Sequence, residues 1–255
     1  MSLLETRSLS VAIGDLVLCR NLDLRLQAGQ CWGLLGANGI GKTTLLHTLA
    51  GLRPAQSGEI LVDGVHLTDL DRRSVARKLG MLFQDSRDTF PATVMETVLG
   101  GRFPHLSPWK LETGGDRGIA AVSLELVGLS DLHYRQVNTL SGGERRRLAL
   151  ATLFTQSPDL FLLDEPTNHL DLHHQITLLN LVTERVTRND GGVLMSLHDV
   201  NLVMRFCSHA MLMIDADTVV TGPVADVIDS NTLSRLYRHT IREVSDNGRR
   251  YYFPE

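Results

Sequence analysis

Nine consecutive residues, Gly36-Ala37-Asn38-Gly39-Ile40-Gly41-Lys42-Thr43-Thr44, fit the pattern G-x-x-x-x-G-K-[ST], a turn that cradles phosphate. Gly36, Gly39 and Gly41 let the backbone turn tightly and aim its N–H groups inward at phosphate oxygens. Lys42 supplies a charge for the β and γ phosphates, and the Thr43 hydroxyl is placed to hold Mg²⁺. Asn38 and Thr44 belong to the same run and count among its nucleotide contacts. For such a turn to work it must join a strand to a helix. Cys31-Trp32-Gly33-Leu34-Leu35 before it reads as a short buried strand, and the residues from Thr44 to Gly51 read as a helix whose dipole points its positive end at the cradle.

A phosphate cradle needs a carboxylate partner for the metal. Leu160-Phe161-Leu162-Leu163-Asp164-Glu165 supplies an apolar strand ending in two acids. Asp164 can hold Mg²⁺ directly or through water. Glu165, pointing the other way along the strand, can polarise the water that attacks a γ-phosphate.

The chain of 255 residues is long enough to bury a full core as one large domain or a core with a smaller subdomain. Its 21% charged and 43% hydrophobic content is that of an ordinary soluble protein, and its net charge of −4 argues against a broad nucleic-acid footprint. Arg145-Arg146-Arg147 is a single dense basic turn, of the kind that usually lies on a solvated or ion-paired face. The strongest apolar runs, such as Met211-Leu212-Met213-Ile214, are strand-sized and too short to span a bilayer. The N-terminus reads as lacking a signal peptide, which points to the cytoplasm. Cys19, Cys31 and Cys207 are far apart and lack C-x-x-C spacing, so they read as core residues rather than a disulfide framework or a zinc site.

Along the chain, Leu9 to Ile13 and Leu22 to Leu26, separated by Gly14-Asp15, predict antiparallel strands. Strands are also expected at Glu59–Val62 and Leu79–Phe83, the latter ending at Gln84. Between Gln84 and Ser141 the texture changes. Pro91, Gly100-Gly101, Pro104, Pro108 and Gly114-Gly115 break the segment, and helical periodicity returns at Ile119–Val127. From Pro158 the alternation resumes: strand Leu160–Leu163, a helix from about Leu172 to Val186, then strands Val193–Leu197 and Ala210–Ile214. That order predicts a parallel sheet covered by helices. Arg249 to Phe253 reads as a terminal strand without an assigned purpose.

Leu140-Ser141-Gly142-Gly143-Glu144 opens a helix predicted from Glu144 to Phe154. Its Ser and two Gly can present backbone N–H groups and a helix dipole to a second phosphate. With the phosphate cradle upstream and the paired acids downstream, this run resembles the LSGGE signature of ATP-binding cassette (ABC) ATPases, and the resemblance covers essentially the whole chain. It is greatest for the branch that imports iron-siderophore complexes, haem or cobalamin, through details such as Gly101-Arg102-Phe103-Pro104-His105 and the run Asp164 to Gln175. The implied fold is α/β: a P-loop NTPase core with a mainly parallel sheet (1–84 and 158–255), an N-terminal antiparallel β subdomain, and a helical signature subdomain (85–157).

The resemblance also implies roles. Gln84 would be the glutamine that contacts Mg²⁺ or the attacking water, His198 the switch histidine on the γ-phosphate, and Asp171 of Asn168-His169-Leu170-Asp171 a residue that meets the opposite subunit. Glu165, His198 and Gln84 are the expected catalytic groups, and Thr43, Gln84 and Asp164 the expected Mg²⁺ ligands. Two chains would clamp two ATP molecules, the cradle of one facing Ser141, Gly142 and Gly143 of the other. The dimer would sit on separate membrane permease subunits at the cytoplasmic face of the membrane, with a possible substrate-binding protein and no nucleic-acid partner. A soluble non-transport ABC ATPase and an exporter motor are the alternatives. His169, His173 and His174 have spacing that could present a metal face, but they fit the family run better. Two departures stand out: Ile13 before Gly14 occupies the place of an adenine-stacking aromatic, which implies weaker stacking, and Arg146 stands where many relatives have Gln, with no function attached to it.

Overall fold

The computed structural model describes residues 2–84, 91–107, 112–168 and 170–255; Pro108 and His169 lie outside the described residues. In chain order the strands are β1 (Ser2–Ile13), β2 (Leu16–Gln27), β3 (Cys31–Gly36), β4 (Ser57–Val62), β5 (Val65–His66), β6 (Leu79–Leu82), β7 (Leu160–Leu163), β8 (Gly192–Ser196), β9 (His209–Met213), β10 (Val219–Pro223), β11 (Ile241–Asp246) and β12 (Arg249–Pro254). The helices are α1 (Lys42–Leu49), α2 (Arg72–Lys78), α3 (Val94–Leu99), α4 (Gly114–Leu126), α5 (Gly142–Gln156), α6 (Leu172–Arg188), α7 (Val200–Phe206), α8 (Val224–Val227) and α9 (Ser230–Tyr237).

The central sheet has the order β10-β9-β3-β8-β7-β6; every neighbour pair is parallel except β10, which runs antiparallel to β9. Its inner strands β3, β7, β8 and β9 are mostly apolar because both faces are covered, and alternate residues feed two different cores. Leu34, Leu160, Leu162, Leu194 and Met211 pack with α1 and the N-terminal sheet, whereas Leu35, Phe161, Leu163, Met195 and Leu212 pack with α6, α7 and the helices of the signature region. The two-residue side-chain period of a strand accounts for this division. Cys19, Cys31 and Cys207 are free and buried in these cores.

The N-terminal antiparallel sheet, β2-β1-β4-β5, lies against α1. Its hairpin turns at Gly14 and pairs Ile13 with Leu16, and further along β2 Leu18 reaches the phosphate cradle. A Cβ at Gly41, whose φ is +110°, would stand 2.7 Å from a Leu18 methyl carbon. Any other residue at position 41 would therefore be strained twice, by its φ and by the contact.

The described residues between 91 and 156 are mainly helical, as the breakers and periodicity predict, but the breakers do other work. Gly114-Gly115 open α4 instead of interrupting it: Thr113 caps the helix in a reciprocal box with Asp116, which provides the start signal that the glycines lack. Gly101 allows close packing, since a Cβ there would lie 2.4 Å from the Thr152 carbonyl oxygen of α5. The predicted terminal strand is β12, and its partner β11 makes it one arm of a hairpin. Tyr252 of β12 is buried and donates to the Ile228 carbonyl at 3.0 Å, and Asn201 of α7 bonds its backbone on both sides. That is the purpose the sequence alone leaves unassigned: the hairpin is fastened to the helix that follows His198.

Candidate nucleotide site

Three parallel strands, β3, β8 and β7, end side by side and carry the chemistry on the loops that follow them. This is where an open α/β sheet places its ligand site. After β3 comes the cradle. Gly36 is buried, Ala37, Asn38 and Gly39 are exposed, and α1 begins at Lys42 with Gly41 as its cap. Lys42 is buried and its Nζ donates to the carbonyls of Gly36 at 2.9 Å and Ala37 at 3.2 Å, so the ammonium folds back across the turn. Burial pushes its pKa down, and the Glu165 and Asp164 carboxylates act against that shift. Thr43 and Thr44 follow in the first helical turn.

After β7 come the two acids. Asp164 is fully buried, and its Oδ1 accepts from the Ser196 hydroxyl at 2.8 Å. Its Oδ2 is buried with no hydrogen-bond partner among the described residues. A buried carboxylate oxygen left unpaired costs free energy unless a cation or donor meets it. An unpaired carboxylate oxygen of this kind suits a hard cation such as Mg²⁺, for which the Thr43 hydroxyl would be a second oxygen donor.

Glu165 departs from the alternation expected of a strand. β7 ends at Leu163, and Glu165 has φ +46°, in the left-handed region. A non-glycine residue there costs of order 1 kcal/mol, and the surroundings hold it in place. Its N–H donates to Ser196 Oγ at 2.7 Å, Gln84 Nε2 donates to its Oε2 at 2.8 Å, Asn168 Nδ2 donates to the same oxygen, and His198 Nε2 lies 2.9 Å from its Oε1. The predicted glutamine, glutamate and histidine thus converge on one carboxylate. Ser196 and Asn168 were missed as site residues. The signal for Ser196 was a hydroxyl in an otherwise apolar strand, two positions before His198.

The remaining predicted residues lie apart from this cluster. Ser141 is exposed and caps α5: its hydroxyl accepts from the Glu144 N–H at 3.3 Å and its own N–H donates to Glu144 Oε2 at 2.7 Å. Gly142 and Gly143 form the first turn, and a Cβ on Gly142 would meet nothing within 4 Å. That turn faces outward with open backbone. Asp171, also exposed, caps α6 through the His174 N–H at 2.9 Å, and its carboxyl is held below the usual range by that N–H and by the His174 ring. Ile13 is 46% exposed at the tip of the N-terminal hairpin.

Arg146 lies buried in the second turn of α5, and its guanidinium donates to the backbone carbonyls of Phe83 and Asp164, beside the cluster around Glu165. This is the largest departure from the solvated basic face expected of Arg145-Arg146-Arg147.

The ABC transporter family profile matches residues 19–168. Among curated proteins, the chain is 33% identical over 238 residues to the ferric enterobactin transport ATP-binding protein FepC of Escherichia coli (strain K12), covering 92% of this chain and 86% of that protein. It is 36% identical over 260 residues to the hemin import ATP-binding protein HmuV of Burkholderia thailandensis, covering 95% of each. Among solved structures, a chain of a metal-chelate type ABC transporter in an inward-facing conformation superposes with a TM-score of 0.86 over 100% of this chain and 98% of that one, at 24% identity; this last likeness bears on the fold.

Proposed function

The chain belongs to the ABC transporter family, and from that premise we propose that it is the ATP-hydrolysing subunit that powers uptake of a metal chelate, a ferric siderophore or haem, through separate permease subunits. ABC transport subunits of this kind bind and hydrolyse ATP, work as dimers and act with membrane permeases. Among the described residues no helix is long and apolar enough to cross a membrane, so a transport role needs such a partner. The cargo reading rests on the names of the relatives, FepC for ferric enterobactin and HmuV for hemin. Attachment to the cytoplasmic face of the membrane through the permease, and delivery of cargo by a separate binding protein, belong to the same reading. So does the division into a core of 1–84 and 158–255 and a helical part of 85–157.

The observation that carries the enzymatic part is the convergence of Gln84, Asn168 and His198 on the Glu165 carboxylate, beside a buried lysine whose charge senses Glu165 and Asp164. Lys42 binds the β and γ phosphates of ATP within the cradle of Gly36, Asn38, Gly39, Gly41, Thr43 and Thr44. Glu165 orients the attacking water and takes its proton, while the amide of Gln84 and the ring of His198 fix where that carboxylate points. His198 is also within reach of the γ-phosphate. Thr43, Asp164 and Gln84 would hold Mg²⁺, which would supply charge neutralisation at the phosphate oxygens. On the family resemblance the adenine would meet the aliphatic Ile13 in place of an aromatic ring, so stacking contributes less.

Replacing Glu165 with Gln keeps the size and the hydrogen-bond reach of the side chain but removes the proton acceptor. Glu165→Gln binds ATP within about threefold of wild type and loses at least ~10² in turnover, measured by nucleotide binding and phosphate release on the purified chain. Turnover near wild type would remove Glu165 from the catalytic role. For the cargo, vesicles carrying this chain with its permease accumulate a ferric siderophore or haem when ATP is supplied on the side of the chain; efflux, or no association with a membrane protein, would favour the exporter or the soluble alternative.

A further inference from the structure

Arg146 extends from the second turn of α5, and each of its three nitrogens is engaged. Nε donates to the Pro166 carbonyl at 3.1 Å; Nη1 donates to the carbonyls of Phe83 and Gln84, the latter at 3.4 Å; Nη2 donates to those of Asp164 and Glu165, both at 2.7 Å. A guanidinium has five N–H groups in one plane, and here they grip the loops after two adjacent parallel strands, β6 and β7, whose last residues Leu82 and Leu163 are paired. The side chain is only 8% exposed, so these bonds lie largely away from competing water.

The grip has two ends with different chemistry. One is the backbone of Gln84 and Glu165, whose side chains hydrogen-bond to each other, and Glu165 there holds a left-handed φ of +46°. The other is α5, which starts at Gly142, one turn before Arg146, and carries the Ser141 cap. A glutamine amide has both N–H groups on one nitrogen and a lysine has three on one point, so neither can span the two loops in a fixed plane.

We propose that Arg146 is a positioning residue for hydrolysis: its guanidinium ties the signature helix to the backbone of Gln84 and Glu165, so that seating of that helix aims the catalytic carboxylate. The inference rests on the roles given above to Glu165 and Gln84. A small error in aim is enough to matter, since misplacing a reacting group by about 1 Å can cost about a hundredfold in rate.

The test uses the full chain and the variants Arg146→Ala and Arg146→Lys, with Glu165→Gln alongside. The result expected is ATP affinity within about threefold of wild type and kcat reduced about ten- to hundredfold in both Arg146 variants. Amide hydrogen exchange should quicken in peptides covering 164–168 and remain unchanged in the second half of α5. Lysine keeps the charge and most of the stem, so Arg146→Lys carries the test if Arg146→Ala does not fold. Wild-type kcat in Arg146→Lys, loss of ATP binding in step with loss of turnover, or unchanged exchange at 164–168 would overturn the proposal. Failure of the site reading shows separately, as normal turnover in Glu165→Gln.

Discussion

Ser196 holds both acids of the site at once. Its hydroxyl donates to Asp164 Oδ1 and accepts from the Glu165 N–H, and it is fully buried at the end of β8. One oxygen thereby fixes the orientation of the expected metal-holding carboxylate and the left-handed backbone of the next residue. Ser196→Ala leaves a buried carboxylate oxygen and a buried N–H without this partner, an expected loss of about 1–3 kcal/mol in folding stability. It should also lower kcat, because Glu165 loses one of the bonds that hold its φ, while ATP still binds to the cradle. Chemical denaturation and steady-state ATPase kinetics on the same preparation check both effects. An unchanged kcat would mean that Gln84, Asn168 and His198 suffice to hold Glu165. Most of the site was legible at this level because its groups sit in fixed linear patterns: Lys42 in the cradle, Asp164 and Glu165 after an apolar run. Ser196 and Arg146 were not, because a buried serine in a strand and an arginine in a basic triplet acquire meaning only from carbonyls and carboxylates far away in the sequence.

The helices of the signature region depend on caps more than on composition. Thr93 with Glu96, Thr113 with Asp116 and Ser141 with Glu144 each form the same reciprocal box at the head of α3, α4 and α5. Asp116 does a second job: its Oδ1 accepts from Arg102 Nε at 2.9 Å, while Arg102 Nη1 donates to the Thr155 carbonyl near the end of α5. This one carboxylate therefore ties the start of α4 to the end of the signature helix. The bonds from Thr113, then the Arg102 guanidinium, hold its pKa well below the usual carboxylate value. A carboxyl with a depressed folded-state pKa stabilises the protein above its unfolded pKa, about 3.9 for Asp, and loses that contribution as pH falls through the folded value. Asp116→Asn should accordingly lower the thermal midpoint by a constant amount between pH 5 and 8, taken as roughly the range in which both states are ionised. The gap should narrow as pH drops below about 4. A gap that stayed constant on acidification would assign the effect to packing. The inner strands β3, β7, β8 and β9 match their expected spans to within a residue or two because burial on both faces makes them nearly continuous apolar runs, whereas β1 and β2 extend well beyond the expected Leu9–Ile13 and Leu22–Leu26. β10, β11 and helices α7 to α9 do not stand out in the sequence, since each spans too few residues for its periodicity to be distinctive and they are held by tertiary bonds such as those of Tyr252 and Asn201.

In a single copy the cradle closes on Lys42, while Ser141 and Gly142 are exposed at the head of α5. In the head-to-tail, two-fold pair proposed for this chain, each exposed helix start would meet the partner's cradle and both composite sites would form together. The arrangement predicts complementation between defects in different chains. Ser141→Arg puts bulk and charge into the partner's site but leaves its own cradle intact; Lys42→Ala spoils its own cradle but leaves its signature turn intact. Each variant alone should have almost no ATPase activity. In a mixed dimer one composite site combines the good cradle of the first chain with the good signature turn of the second, and the other site carries both defects. With random pairing, half of the dimers are mixed and each has one working site, so an equimolar mixture recovers about a quarter of wild-type turnover if the two sites act independently. Strict coupling between sites would pull recovery toward zero, and covalently linked mixed dimers with one site competent to bind ATP but silent in turnover would reveal that case. High activity in Ser141→Arg alone would be incompatible with the shared site, because a cradle that works without its partner's serine has no need of the second copy.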